Sequence, residues 1–334
     1  MTPGGGTARS AELVTVAIPA RNESATIAGV LDSVLAQTYE HLQIIVVDGD
    51  SDDDTRRIVQ DYADRDPRVE LLDNPDRVIP VAMNLALERA RGVFLVRVDA
   101  HCRVPADYVE RLVTHLRTGQ WGGVGGRKDA RGRTRAGRAI AAVMGSRFAQ
   151  GDSVYHYGDR EQVVDHIPFG SYPVELCREL GGWTETQLVN EDYEFDYRVR
   201  LSGKELLFDP EVVIDWDCRQ SVPELFRQYR RYGRGKVQTL ERHPSSASPR
   251  HLAAPTLVMV LAAAASLLPW RRTRHMGLLM LAPYVGLVGI ATATTAPKVS
   301  GFSGKLWVAP AFVAIHTGWG TGFWLEVFDH LGER

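Results

Sequence analysis

The sequence predicts an α/β fold: a mostly parallel sheet with helices on both faces, followed by a hydrophobic C-terminal segment. Three observations predict it. Short β-branched runs alternate with amphipathic stretches through the first hundred residues, the pattern of repeated strand–helix–strand crossovers. Acidic and polar loops fall at the ends of those strands, where sheets of this kind bind ligands. From Leu252 to Arg334 only nine of 83 residues are charged, whereas the preceding chain is rich in charge.

Leu13 to Pro19 (LVTVAIP) reads as the first strand, closed by its proline. Asn22 and Ser24 then offer caps for a helix through Leu35, with Ile27, Val30, Leu31 and Val34 on one face. Leu42 to Val47 is a second buried strand that runs into the acidic loop Asp48–Asp54. A helix over Arg56–Ala63, a strand over Val69–Leu72 and a helix over Ile79–Ala90 follow. Val93 to Val98 is a strand leading into Asp99. The stretch Gly122–Gly151 reads as a strand and then a flexible connection. Beyond it the pattern gives a strand at Val163–Ile167 and a helix at Pro173–Leu180. Further on come a helix at Glu191–Leu201, short strands at Glu205–Phe208 and Val212–Trp216, and a basic aromatic helix at Pro223–Glu241. The expected organisation is a tail over residues 1–10, one α/β domain over 11–245 and a membrane domain over 252–325.

Uncharged runs at Leu252–Trp270, Met276–Pro297 and Leu306–Leu325 supply the membrane domain. The first, at 19 residues, is about 28 Å long as a helix, close to the thickness of a bilayer's hydrocarbon core. Buried core helices are the alternative, but soluble helices rarely lack charge on every face. Trp270, Trp307 and Trp324 sit near the ends of the runs, where interfacial aromatics belong. Seven Lys or Arg between Arg227 and Arg250 favour a cytoplasmic α/β domain at the plasma membrane, although Arg271, Arg272 and Arg274 follow the first run. A re-entrant hairpin would reconcile the two. A formal net charge of −2 argues against a nucleic-acid partner. The three cysteines, Cys102, Cys177 and Cys218, fall in no metal-ligand pattern and suit a reducing compartment.

Two features carry candidate chemistry. VVDGDSDDDT (Val46–Thr55) places five Asp and a Ser beside a strand end, which alone reads equally as a solvated turn. Asp99 and His101, on a strand continuing through Asp-Ala-His, would project to one side and could share a divalent ion. A carboxylate with an imidazole suits Mn2+ or Mg2+. GGVGG (Gly122–Gly126) follows no nucleotide fingerprint and is given no phosphate role.

The segments PARNE (Pro19–Glu23), VVDGDS (Val46–Ser51), NPDRVIPVAMNLAL (Asn74–Leu87), RVDAH (Arg97–His101), NEDYEFDYRVR (Asn190–Arg200) and QYRRYGRGK (Gln228–Lys236) occur in that order. Together they resemble family 2 glycosyltransferases of GT-A fold, within that family the ExoA-like branch of succinoglycan biosynthesis, over roughly Val14 to Gln238. The resemblance implies an inverting, metal-dependent transfer of a hexose from a UDP-sugar to a lipid-linked saccharide. Pro19, Ala20, Arg21, Glu23, Asp48 and Asp50 would then line the nucleotide, with Arg77 and Asn84 from the third motif also at the donor. Asp99 and His101 would stand where Asp-x-Asp is more usual. Asp192 would be the catalytic base, whereas Glu191 and Asp192 could also be simple first-turn acids on a helix dipole. Gln228, Arg231 and Tyr232 match Gln-x-x-Arg-Trp with Tyr for Trp, against the diphosphate and acceptor. The same helix read for its charge alone would lie on membrane lipid. Transfer to polyprenyl phosphate itself and a non-catalytic nucleotide-sugar scaffold are the competing readings. The first needs no base, and the second predicts loss of metal or base residues.

Overall fold

In the computed structural model, which describes residues 12–332, the sheet is built outward from its first strand. The expected tail at residues 1–10 lies outside the described residues. Strands β1 (Val14–Ala20), β2 (Leu42–Asp48), β3 (Val69–Asp73) and β4 (Phe94–Arg97) pair in parallel in the order β3-β2-β1-β4. Their crossovers are α1 (Ile27–Leu35), α2 (Thr55–Ala63) and α3 (Ile79–Arg89). Successive strand side chains point to opposite faces, and both faces are covered. Val16, Ile18, Ile44 and Val46 join Ile27 and Leu31 of α1 in one core. Ala17, Ile45 and Val47 join Met83 and Ala86 of α3 in the other. The four residues expected on the buried face of α1 are all buried.

Beyond β4 the chain makes β5 (Cys102–Arg103), α4 (Tyr108–Leu116) and β6 (Trp121–Arg131). Next come α5 (Arg135–Met144), α6 (Arg147–Gln150), β7 (Gln162–Val164), β8 (Ser171–Pro173), α7 (Val174–Glu179) and α8 (Glu191–Leu201). β9 (Glu205–Asp217) completes a nine-stranded sheet in the order β3-β2-β1-β4-β8-β6-β9-β5, with β7 on β9. The stretch expected to be a flexible connection holds α5 and α6 instead. In α5 the arginines at 135 and 138 mask an apolar face of Ala139, Ile140 and Val143, which is fully buried. The two short strands expected at 205–208 and 212–216 are one strand, because its parallel pairing with β6 absorbs the interruption in a register shift at Gly126/Arg127.

The basic aromatic helix is α9 (Val222–Arg242), followed by α10 (Ala253–Leu267), α11 (Arg274–Thr295), α12 (Phe302–Lys305) and α13 (Val308–Gly332). Two helical segments, Pro249–Leu267 and Arg274–Lys298, are long and apolar enough to cross a membrane, and both lie largely outside the protein core. Three such helices were expected. The third apolar run forms part of α13, and Phe312, Ala314 and Ile315 of that helix are buried in the same core cluster as Leu225 and Tyr229 of α9. The approach is backbone to backbone. A Cβ at Gly322 would stand 1.9 Å from the Arg230 carbonyl oxygen, and one at Gly233 would stand 2.0 Å from that of Trp319. Arg234 of α9 seals the contact by pairing with Glu326 and Asp329 of α13.

Candidate active site

The carboxyl ends of β1, β2 and β4 converge on one edge, and the loops there are held together before any ligand arrives. Asn22 takes a left-handed conformation (φ 56°). Its N–H donates to Ser51 Oγ at 2.9 Å and its Oδ1 accepts from the Asp52 N–H at 2.8 Å. The Ser24 N–H donates to Asp53, which also accepts from the Thr55 N–H and hydroxyl. The Thr55 hydroxyl oxygen in turn accepts from the Glu23 N–H at 2.7 Å. The hydrogen bond from the Thr55 hydroxyl leads the set that holds the Asp53 carboxyl well below the usual carboxylate range. Much of the acidic loop is thus a clasp for the Pro19–Glu23 loop.

Asp48 is 2% exposed and accepts from the Ser51 hydroxyl at 2.6 Å and from its N–H at 3.2 Å. Pro19 and Ala20 close β1 beside it, and Arg21 is exposed at the mouth. Asp50 and Arg77 are both left-handed and form an ion pair with each other at the rim. Asn84 stands apart from this edge. Its side-chain N–H groups donate to the Trp183 carbonyl and Glu185, and its Oδ1 accepts from the Trp183 N–H, so its amide anchors the loop leading into α8.

Strand β4 stops at Arg97, and Asp99 to Cys102 is a turn closed by the Cys102 N–H on the Asp99 carbonyl at 3.0 Å. The expected strand alternation therefore does not place Asp99 and His101; the turn does. Arg97, 5% exposed, donates to Asp99 Oδ1 at 2.8 Å and to Glu191 Oε1 at 3.1 Å. It joins β4 to the start of α8. His101 Nδ1 lies 3.2 Å from Glu23 Oε1. Burial opposes the charged imidazole, but Glu23 and Asp99 outweigh it and raise the His101 pKa. Asp99 Oδ2 and His101 Nε2 remain outside any hydrogen bond among the described residues. A carboxylate oxygen and an imidazole nitrogen at a turn fit a divalent ion whose other positions are filled by phosphate oxygens and water. The one preformed group of three ligands among the described residues, His115, Glu161 and Asp209, is elsewhere.

Helix α8 begins after left-handed Asn190 and carries four carboxylates in six residues. Three are consumed. Glu191 meets Arg97, Glu194 pairs with Arg198 and His243, and Asp196 accepts from Tyr172, the Ile167 N–H and His166. Asp192 uses one oxygen on the Tyr193 N–H at 2.8 Å. Its other oxygen lies 3.8 Å from His166 Nε2, beyond hydrogen-bond reach. Burial would raise its pKa, but His166 and Arg97, with the Tyr193 N–H and Lys128, hold it below the usual carboxylate value. Lys128 lies over the Trp216 ring at 4.1 Å and the Phe169 ring at 4.5 Å, and burial lowers its pKa against the pull of Asp99 and Asp192. Arg97, Lys128 and His166 were not singled out as site residues from sequence; the hint available was only that RVDAH begins with an arginine inside an apolar strand.

From α9, Gln228 donates to the Tyr232 hydroxyl at 3.0 Å, while its own Oε1 is buried without a partner among the described residues. The Tyr232 carbonyl accepts from Asn190, which ties this pair to the start of α8. Burial, and then the Asp192 charge, push the Tyr232 hydroxyl up to about 12. Arg231 is exposed.

Comparisons with known proteins give the family and the fold. The model for glycosyl transferase family 2 matches residues 15–148, and that for glycosyl transferase family group 2 matches residues 94–293. The succinoglycan biosynthesis protein ExoA of Rhizobium meliloti (strain 1021) is 30% identical over 320 residues, covering 94% of each chain. The chain belongs to glycosyltransferase family 2. A shorter match, 37% over 89 residues, links this glycosyltransferase to the Escherichia coli UDP-Glc:alpha-D-GlcNAc-diphosphoundecaprenol beta-1,3-glucosyltransferase WfgD, over 26% of this chain and 34% of that one. Among solved structures, the mannosyltransferase PcManGT from Pyrobaculum calidifontis, in complex with GDP-Man and Mn2+, shares the fold with a TM-score of 0.60. It is 20% identical, covering 96% of this chain and 88% of that one.

The Arg97 bridge sets a first prediction for the glycosyltransferase. Arg97→Gln leaves Asp99 and Glu191 facing each other without their shared cation. Breaking a buried pair in this way costs about 3–5 kcal/mol. Chemical unfolding of the detergent-solubilised chain should show that loss, and unfolding like the wild type would mean the bridge is not structural.

Proposed function

We propose that this glycosyltransferase moves a hexose from a UDP-sugar, with inversion, to a hydroxyl of a saccharide carried on a membrane-anchored polyprenyl diphosphate. The product would enter exopolysaccharide or cell-wall glycan. The names of ExoA and WfgD support that direction. The observation that carries the reading is Asp192, the carboxylate of α8 to which no cationic side chain hydrogen-bonds among the described residues, held ionised at the edge where the strand-end loops meet.

The chemistry follows from that placement. Asp192 accepts the proton of the acceptor hydroxyl as its oxygen attacks the sugar carbon from the face opposite the nucleotide. A single displacement of this kind inverts the configuration, and UDP leaves with the electrons of the broken bond. Asp48 and the Pro19–Glu23 loop would bind the nucleoside, and Gln228 Oε1 has an acceptor to offer a donor or acceptor hydroxyl. Asp99 and His101 would hold Mn2+ or Mg2+, which supplies positive charge beside the departing diphosphate. Lys128 and Arg97 already place fixed cations on the same side of the site. The two apolar helical segments would set the domain against the cytoplasmic face of the membrane, where the exposed Arg227 and Arg230 of α9 would meet anionic lipid.

Asp192→Asn should leave UDP-sugar binding intact and cut transfer at least about a hundredfold, the usual scale for a general base. Transfer at the wild-type rate in that variant would remove Asp192 from the reaction. A pH profile adds an independent check. Asp192 works as the carboxylate, so transfer should hold through neutral pH and fall as pH drops through its lowered pKa. Of the groups that face it, His166, Arg97 and Lys128 favour the charged form and Glu191 opposes it. His166→Ala should therefore move the acid limb to higher pH, and an unmoved limb would mean that another group titrates.

A further inference from the structure

We propose that a cavity between the α/β domain and the end of α11 binds the diphosphate of the lipid-linked acceptor. This rests on the acceptor class of the preceding reading and adds a site outside the one already described. The cavity is about 430 Å³ and is lined by Arg147 of α6, Arg160 of the loop before β7, and Lys298 just beyond α11. Asp159 is the one carboxylate in its wall. Arg147, Arg160 and Lys298 form no ion pair among the described residues, whereas nearby Arg250 pairs with both Asp152 and Asp165. The Arg147 guanidinium is stacked 5.0 Å from the Tyr157 ring centroid, which orients it while leaving its N–H donors free. Three cations against one carboxylate in a single cavity attract a doubly charged anion, and guanidinium groups match phosphate oxygens in pairs.

Position identifies the source of that anion. Thr294 and Thr295 of α11 complete the wall, and α11 belongs to the more apolar of the two candidate membrane segments. Lys298 marks where that segment ends, the level at which a lipid presents its phosphates. The turn Val154–His156 separates the cavity from the active site. Val154 and Tyr157 face the cavity, while Tyr155 meets the His166 ring at 5.3 Å, and His166 is the neighbour of Asp192. A saccharide attached to a diphosphate here would cross one turn of chain to reach the base. Basic residues that only anchored the domain to anionic lipid would have no need to converge from three separate elements on one cavity.

The test uses the full chain in detergent, with farnesyl diphosphate, farnesol and phosphatidylglycerol as probes. Binding is read by native mass spectrometry without donor, in the wild type and in an Arg160→Gln, Lys298→Gln double variant. Both side chains are exposed, so the fold should be kept, and unchanged binding of UDP with Mn2+ verifies it. Farnesyl diphosphate should bind the wild type and bind the variant at least tenfold more weakly, while farnesol should not bind. Equal binding by the variant, or displacement by phosphatidylglycerol on equal terms, would overturn the proposal. Because no transfer is measured, a failure here leaves the Asp192 result standing, and a failure there leaves this one standing.

Discussion

One buried guanidinium organises the site. Arg97 ends β4 and is hydrogen-bonded at once to Asp99, in the turn that follows, and to Glu191, at the start of α8. These carboxylates come from parts of the chain more than ninety residues apart, and without a cation between them they would repel in a low-dielectric edge. With Arg97 in place, the turn Asp99–Cys102 and the helix bearing Asp192 are fixed relative to each other. The same charge helps to keep Asp192 ionised. Position and protonation state of the candidate base thus share one cause.

Around this bridge the structure separates carboxylates whose oxygens are taken up in holding loops from those with an oxygen left unpaired. Asp53 and Asp196 are saturated by backbone and side-chain donors, and Glu194 by Arg198 and His243. Asp99 and Asp192 retain oxygens without protein partners at hydrogen-bond distance. An acidic stretch such as Asp48–Asp54 looks uniform as sequence, but Asp48 is buried against Ser51 and Asp50 is exposed against Arg77. Only the three-dimensional pairing distinguishes them.

The parallel half of the sheet was legible because β1 and β2 are apolar, largely β-branched runs buried on both faces, and each crossover carries its apolar face at helical spacing. The start of α8 was legible from Asn190 and the acids after it. What escaped was set by tertiary contact. α5 is interrupted by arginines that point away from its buried face, and β5 and β8 are too short to carry a pattern. Lys128 and His166 lie in no motif and reach the site only because β6 and the loop before β8 fold beside α8. The packing of the last apolar run was not legible from hydropathy: the glycines of α13 let it lie on the backbone of α9. Since α9 also carries Gln228 and Tyr232, the apolar C-terminal part and the candidate acceptor side share a helix.

The central claim is that this edge binds a nucleotide sugar through a metal and activates it for transfer. The direct measurement is nucleoside diphosphate release from a panel of UDP- and GDP-sugars by the solubilised full chain, with Mn2+ or with EDTA. Release is expected from one UDP-sugar, dependent on the metal and accelerated by a lipid-linked acceptor. No release from any sugar nucleotide, together with no binding of UDP or GDP in the presence of Mn2+, would contradict it.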